Sequence, residues 1–97
     1  MAEITQIKIL LDEIYTLLLK ANETEWAKSI YQIKNEFENS QEDELNVLAR
    51  KALQMFEGSG SFSDLVLYVN GNPDSKLNDR FNTLRMRLHQ ELINFIS

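Results

Sequence analysis

Residues 58–72 read "GSGSFSDLVLYVNGN", and the conformation they take decides the fold. The rest of the chain is charged and apolar at helical spacing. Here all three glycines of the protein and three serines flank the run Leu65, Val66, Leu67, Tyr68 and Val69. Two conformations fit. The run is β-prone and is bounded by Gly60 and by the turn signal "NGNPDS". A strand, however, needs a partner strand. With no second candidate, its backbone groups would be left unmet. The other conformation is a short helical turn capped by Ser61 or Ser63, or an irregular buried segment, that packs Leu65, Val66 and Tyr68 across a bundle. The helical or irregular form is the favoured reading, because every neighbouring segment is helical.

Working outward, residues 3–21 place Ile4, Ile7, Leu10, Leu11, Ile14, Leu17 and Leu18 three and four apart, which is an amphipathic helix. Ile9 and Leu19 widen that stripe. Asn22 opens a second helix, with Glu25 three residues on as in a capping box. Its inner face is Trp26, Ile30, Ile33 and Phe37, and Asn39-Ser40 stops it. Ser40 is the expected N-cap of a third helix, which carries Glu42, Asp43 and Glu44 in its first turn, where the helix dipole favours acids. Leu45, Leu48, Ala49, Ala52, Leu53 and Phe56 form its stripe, and Gly58 suits the C′ position that ends it. A last helix runs from Asp74 or Ser75 to Phe95 on Leu77, Phe81, Leu84, Leu88, Leu92 and Phe95. Arg80, Arg85 and Arg87 lie off this stripe. The expected product is a single all-α domain over residues 1–97: a small bundle of four main helices with a short irregular or helical insert at about residues 61–70.

Length and charge narrow the functions. At 97 residues the chain makes one modest core and leaves little room for a deep substrate cavity. It has no cysteine, so packing rather than disulfides must hold it, as suits the cytoplasm. The first twenty residues lack a basic leader and a cleavage site. Lys8, Asp12 and Glu13 interrupt their apolar run, so neither a secretory signal nor a membrane span is expected. The net charge of −5 lies entirely in residues 1–57, and residues 35–44, "NEFENSQEDE", hold five acids and no base. That sign argues against direct binding of nucleic acid or an anionic membrane, and it would steer a basic protein partner. The same acids could also serve as a solvated helix junction.

Catalytic chemistry finds little to work with. A serine nucleophile would have to use His89, the one histidine, which sits mid-helix beside Leu88. The Cys and His ligands of a zinc site are missing, the carboxylates lack the spacing of a calcium loop, and "GSGSFSD" lacks the ending of a phosphate loop. No catalytic, cofactor or metal residue is therefore expected, and the function is expected to be binding rather than catalysis. Among the aromatics, Trp26 and Phe37 read as core, while Tyr15 and Tyr31 could be core or interface. The first helix is apolar enough to pack a second copy of the chain.

The segment at 58–67, followed by "LNDRFNTLRMRLHQEL" at 77–92, resembles a group of small bacterial helical proteins associated with polymorphic toxin loci. That group carries a Gly-x-Gly-Ser-[Phe/Leu]-x-Asp-Leu-Val segment before a final helix, and an upstream Glu-x-x-Trp-Ala helix to which "ETEWAKSI" is similar. Ser59 stands where the group usually has methionine. The resemblance spans residues 22–95 and extends to cytosolic immunity proteins of contact-dependent growth inhibition systems. It implies an architectural role for the motif residues Gly58, Gly60, Phe62, Asp64 and Leu65. The glycines would turn the chain sharply, Phe62, Leu65 and Leu67 would plug the bundle, and Asp64 would cap local amides. The implied function is stoichiometric neutralisation of a cognate toxin domain, a basic nuclease such as a tRNase. The acidic junction of Glu36, Glu38, Glu42, Asp43 and Glu44, with Tyr31 nearby, would be the contact face. The alternative is a homo-oligomeric helical protein, such as a homodimer, or an adaptor without a toxin partner.

Overall fold

A computed structural model describes residues 4–57 and 61–96. Four helices, α1 (Ile4–Lys20), α2 (Thr24–Asn39), α3 (Leu45–Gln54) and α4 (Ser75–Ile96), form an all-α bundle. The expected helix C′ at Gly58, and Gly60 with it, lie outside the described residues. Helix α1 packs against α2 and α4, α3 packs against α4, and α2 meets α3 along a thinner seam. Asp12 pairs with Lys34 and Tyr15 stacks on Tyr31, so α1 and α2 run antiparallel. The fully enclosed core comes from Ile7, Leu10, Leu11, Ile14 and Leu18 of α1, Ile30 of α2, and Phe81, Leu84, Leu88 and Leu92 of α4. Helix α3 contributes the small residues Ala49 and Ala52, which let its backbone sit close to its neighbours. Among the described residues no polar or charged side chain is fully buried.

Two helix boundaries differ from the sequence expectation. Asn22 does not open α2; it ends α1. Its φ is 58°, its N–H bonds the Leu19 carbonyl, and the Glu23 N–H bonds back to Leu18 at 2.9 Å. This is a Schellman end, with asparagine at the left-handed position that glycine more often fills. Helix α2 then starts at Thr24 from Glu23 with no side-chain cap, so the capping box does not form. Ser40 likewise closes α2 in extended backbone instead of capping α3. Gln41 leads into a single 3-10 turn, Glu42–Glu44, and α3 begins only at Leu45.

Over residues 61–72 the deciding stretch is the irregular insert expected from the sequence, and not a lone strand. Its entry is pinned to the end of α3: the Phe62 N–H bonds Met55 O at 2.9 Å, and the Ser61 and Ser63 hydroxyls both donate to Phe56 O. Phe62–Asp64 makes one 3-10 turn, and Leu65 continues extended (φ −68°, ψ 132°). Two strands follow, β1 (Tyr68–Val69) and β2 (Asn72–Pro73), paired antiparallel. The partner strand that the sequence seemed to lack is therefore a two-residue one inside the turn signal. Asn70 and Gly71, at φ 54° and 81°, supply the two left-handed residues of a tight type I′ hairpin. The extended backbone alternates its side chains, so Leu67 is buried, Leu65 is half-buried, and Val66 and Tyr68 face outward, while the 3-10 turn seats Phe62 in the core. The expected inward packing of Val66 and Tyr68 is thus corrected.

Helix α4 supplies what a longer sheet would have supplied. The Asn78 side chain accepts from the Leu67 N–H at 2.8 Å and donates to the Leu67 carbonyl at 2.9 Å. It also donates to Asp74 O at 2.8 Å, while the Asp74 carboxylate caps α4 by accepting from the Leu77 N–H. Arg85 donates to the carbonyls of Phe62 at 2.7 Å and Leu65 at 2.9 Å, bonds Asn82, and lies over the Phe81 ring. Beneath this latch Phe62 meets three rings, Trp26, Phe56 and Phe81, at 5.1–5.5 Å. Asn78→Ala leaves the Leu67 N–H without its partner and is expected to cost about 2 kcal/mol in urea unfolding. Gly71→Ala meets open space and is expected to cost only the left-handed strain, about 1 kcal/mol. An Asn78→Ala protein that unfolds like the parent would show that the amide does not hold the insert.

Candidate functional site

The acids singled out in the sequence do not form one uniform face. Two residues of helix turn a side chain by about 200°, so Glu36 and Glu38 leave α2 on opposite flanks. Glu36 lies 3.6 Å from Lys51 of α3, and Glu38 lies 3.9 Å from Lys34, which also binds Asp12 at 2.9 Å. Both acids are thereby partly neutralised. Glu42, Asp43 and Glu44 are different. They occupy consecutive positions of the 3-10 turn at one end of the bundle, all exposed, with no basic partner among the described residues. Tyr31 stands one heptad before Glu38 on the α1 side of α2, half-exposed and stacked on Tyr15 with ring centres 5.6 Å apart. The structure therefore brings Tyr31 and Glu38 onto one flank with Lys34 between them. It sets Glu36 on the other flank and gathers Glu42, Asp43 and Glu44 at the end.

The Lys34 ammonium is held above its ordinary pKa, first by its hydrogen bond to Asp12 and further by the charges of Asp12 and Glu38. A raised pKa means that the stabilisation is complete below pH 10.5 and is lost as pH rises through the folded value. Lys34→Met is therefore expected to flatten the alkaline end of the stability profile, read as the urea midpoint against pH.

A concavity of about 570 Å³ lies between the end of α3 and α4, walled by Phe56, Ser63, Asn82, Arg85, Met86 and His89. Its polar groups already have work. The Ser63 hydroxyl donates to Phe56 O at 2.8 Å, Arg85 binds the insert, and the His89 ring packs edge-on against Phe56 at 4.9 Å. Burial pushes the Arg85 guanidinium below its usual pKa, and the nearby Asp64 carboxylate pulls it back up. Asp64, read in the sequence as a local cap, thus also acts on Arg85 through its charge. Sequence reasoning missed Arg85 and Asn78 as builders of this region. A faint signal was available, since Arg85 follows Phe81 by four residues and so borders the apolar stripe.

No group of three or more His, Asp or Glu side chains among the described residues is placed to hold a metal ion, and no helix is long and apolar enough to cross a membrane. What the geometry offers most plainly is surface charge, at the end where Glu42, Asp43 and Glu44 project. Neutralising them as E42Q/D43N/E44Q removes a favourable interaction with the start of α3 but relieves their mutual repulsion. The net change in unfolding free energy is expected to stay under about 1 kcal/mol. A loss of 2 kcal/mol or more would assign the three acids a structural role.

No curated protein and no solved structure matches the chain. A family model does match, over residues 19–75, from the last turn of α1 through α2, α3, the insert and the hairpin to the first residue of α4. That is more than half of the chain, and it includes Trp26, the acidic turn and the Phe62–Leu67 plug. The chain belongs to the DUF6966 family, a domain of unknown function.

Proposed function

We propose that the chain is an immunity protein that binds and neutralises one toxin domain, a basic nuclease such as a tRNase, in the cytoplasm of the cell that makes both. The observation that supports this most directly is the exposed run Glu42, Asp43 and Glu44 at one end of a bundle whose fold does not use their charge in ion pairs among the described residues. Nuclease domains hold phosphates with basic grooves. An inhibitor that presents acids in place of phosphates gains fast association and covers the substrate path. A net charge of −5 adds to the attraction at a distance. The resemblance of residues 22–95 to immunity proteins of contact-dependent growth inhibition systems points the same way. Inhibition on this reading needs no catalytic group in the inhibitor, only an interface of about 800 Å² per partner.

The test is co-expression with the product of the adjoining upstream gene, followed by isolation and binding kinetics. A one-to-one complex is expected, with an association rate that falls steeply as salt is added. E42K/D43K/E44K is expected to slow association by roughly 10- to 100-fold with a smaller effect on dissociation. The proposal is overturned if no complex forms and the isolated chain sediments as a stable homodimer. It also fails if charge reversal leaves the rate and its salt dependence unchanged.

A further inference from the structure

The extended segment at residues 65–68 has two edges, and among the described residues only the inner one is hydrogen-bonded. Leu67 directs its N–H and carbonyl inward to Asn78, and its carbonyl also accepts from the Asp74 N–H at 3.1 Å. Tyr68 faces Pro73 across the hairpin, in a pair that exchanges no hydrogen bonds, so its own N–H and carbonyl point away from β2. Val66, two residues earlier, presents its backbone groups along the same outer edge. Neither residue has a backbone hydrogen-bond partner there among the described residues.

The surroundings of this edge are unusual for a free one. Exposed edges are normally blunted by lysine, proline or a bulge. Here the proline is on β2, and the outer edge of β1 carries Val66 and Tyr68, 44% and 50% exposed. A groove of about 340 Å³ runs beside it, walled by Trp26, Leu65, Val66 and Tyr68, with Ser61 and Asp64 as its polar lining. Asp64 is the one charged group among those walls. Trp26 is half-buried with its ring on Phe62, and its indole N–H makes no hydrogen bond among the described residues.

We propose that this edge and groove bind an extended segment of a partner protein, carrying a lysine or arginine, as an added β-strand. Backbone pairing at Val66 and Tyr68 sets the direction of the strand, and the groove takes its alternate side chains. The cation lies over the Trp26 face, drawn there by the net charge of −5 and by the Asp64 carboxylate, which also interacts with Arg85. Charge also decides against a second copy of this chain as the occupant. Edge-to-edge pairing of two copies would join two chains of net charge −5. The inference is independent of the acidic end and of the partner's class of activity.

A displayed library of random twelve-residue peptides, selected on the intact protein, tests this directly. Enriched peptides are expected to alternate β-branched residues with lysine or arginine, and to slow hydrogen exchange at the Val66 and Tyr68 amides. Val66→Pro removes one outer N–H at an edge position that tolerates proline, and is expected to weaken these peptides at least tenfold, whereas Val66→Thr leaves them unaffected. E42K/D43K/E44K is expected to change their binding less than threefold, which separates this site from the acidic end. Should Val66→Pro fail to fold, N-methylation of alternate peptide residues replaces it, and one of the two methylation registers is expected to abolish binding. No enrichment, enrichment of peptides without a basic residue, or equal binding to Val66→Pro overturns the proposal.

Discussion

The fold depends on a side chain doing the work of a strand. One asparagine, Asn78, both accepts from and donates to the backbone of Leu67, as a neighbouring strand would. Buried backbone groups must be paired, and a four-helix bundle has no sheet to pair them. The Asn78 amide, the Arg85 guanidinium on Phe62 and Leu65, and the two serine hydroxyls on Phe56 solve that problem locally. Once they do, the chain can enter the bundle in extended form, and Phe62 and Leu67 can occupy its interior. The thin contact between α2 and α3 makes this plug more important, because Phe62 bridges Trp26 of α2, Phe56 at the end of α3 and Phe81 of α4.

The helices were legible because their signal is periodic and strong. The stripes of α1 and α4 could be read residue by residue, and Ile7, Leu10, Phe81 and Leu88 are buried as their spacing requires. Their ends were less legible, since one residue type serves two purposes. Asparagine both caps helix starts and tolerates left-handed backbone, and at Asn22 the second use prevails. The hairpin had its Asn-Gly signal in view. A two-residue strand of asparagine and proline has no apolar pattern to announce it, however, so the segment looked partnerless. Nothing in local pattern marks bonds such as those from Arg85, which span twenty residues or more.

The acidic surface was legible as composition but not as geometry. Five acids within ten residues suggested one face. Helical rotation separates Glu36 from Glu38, and Lys51 of α3 answers the first while Lys34 of α2 itself answers the second. The acids of the 3-10 turn stay together, without a basic partner among the described residues, because α3 starts later than the serine at 40 would have allowed. The outer strand edge beside Trp26 was invisible for a related reason, since it exists only once the insert is known to be extended.

The protein has one tryptophan, and it is stacked on the plug. Its indole therefore records the docking of the insert separately from the folding of the helices. While Phe62 is seated, the ring is shielded on that face. If the insert lifts away with the four helices intact, the indole gains water and its emission shifts to the red while helical circular dichroism stays constant. The molecule thus carries its own optical reporter for partial opening, placed where the irregular segment meets the bundle.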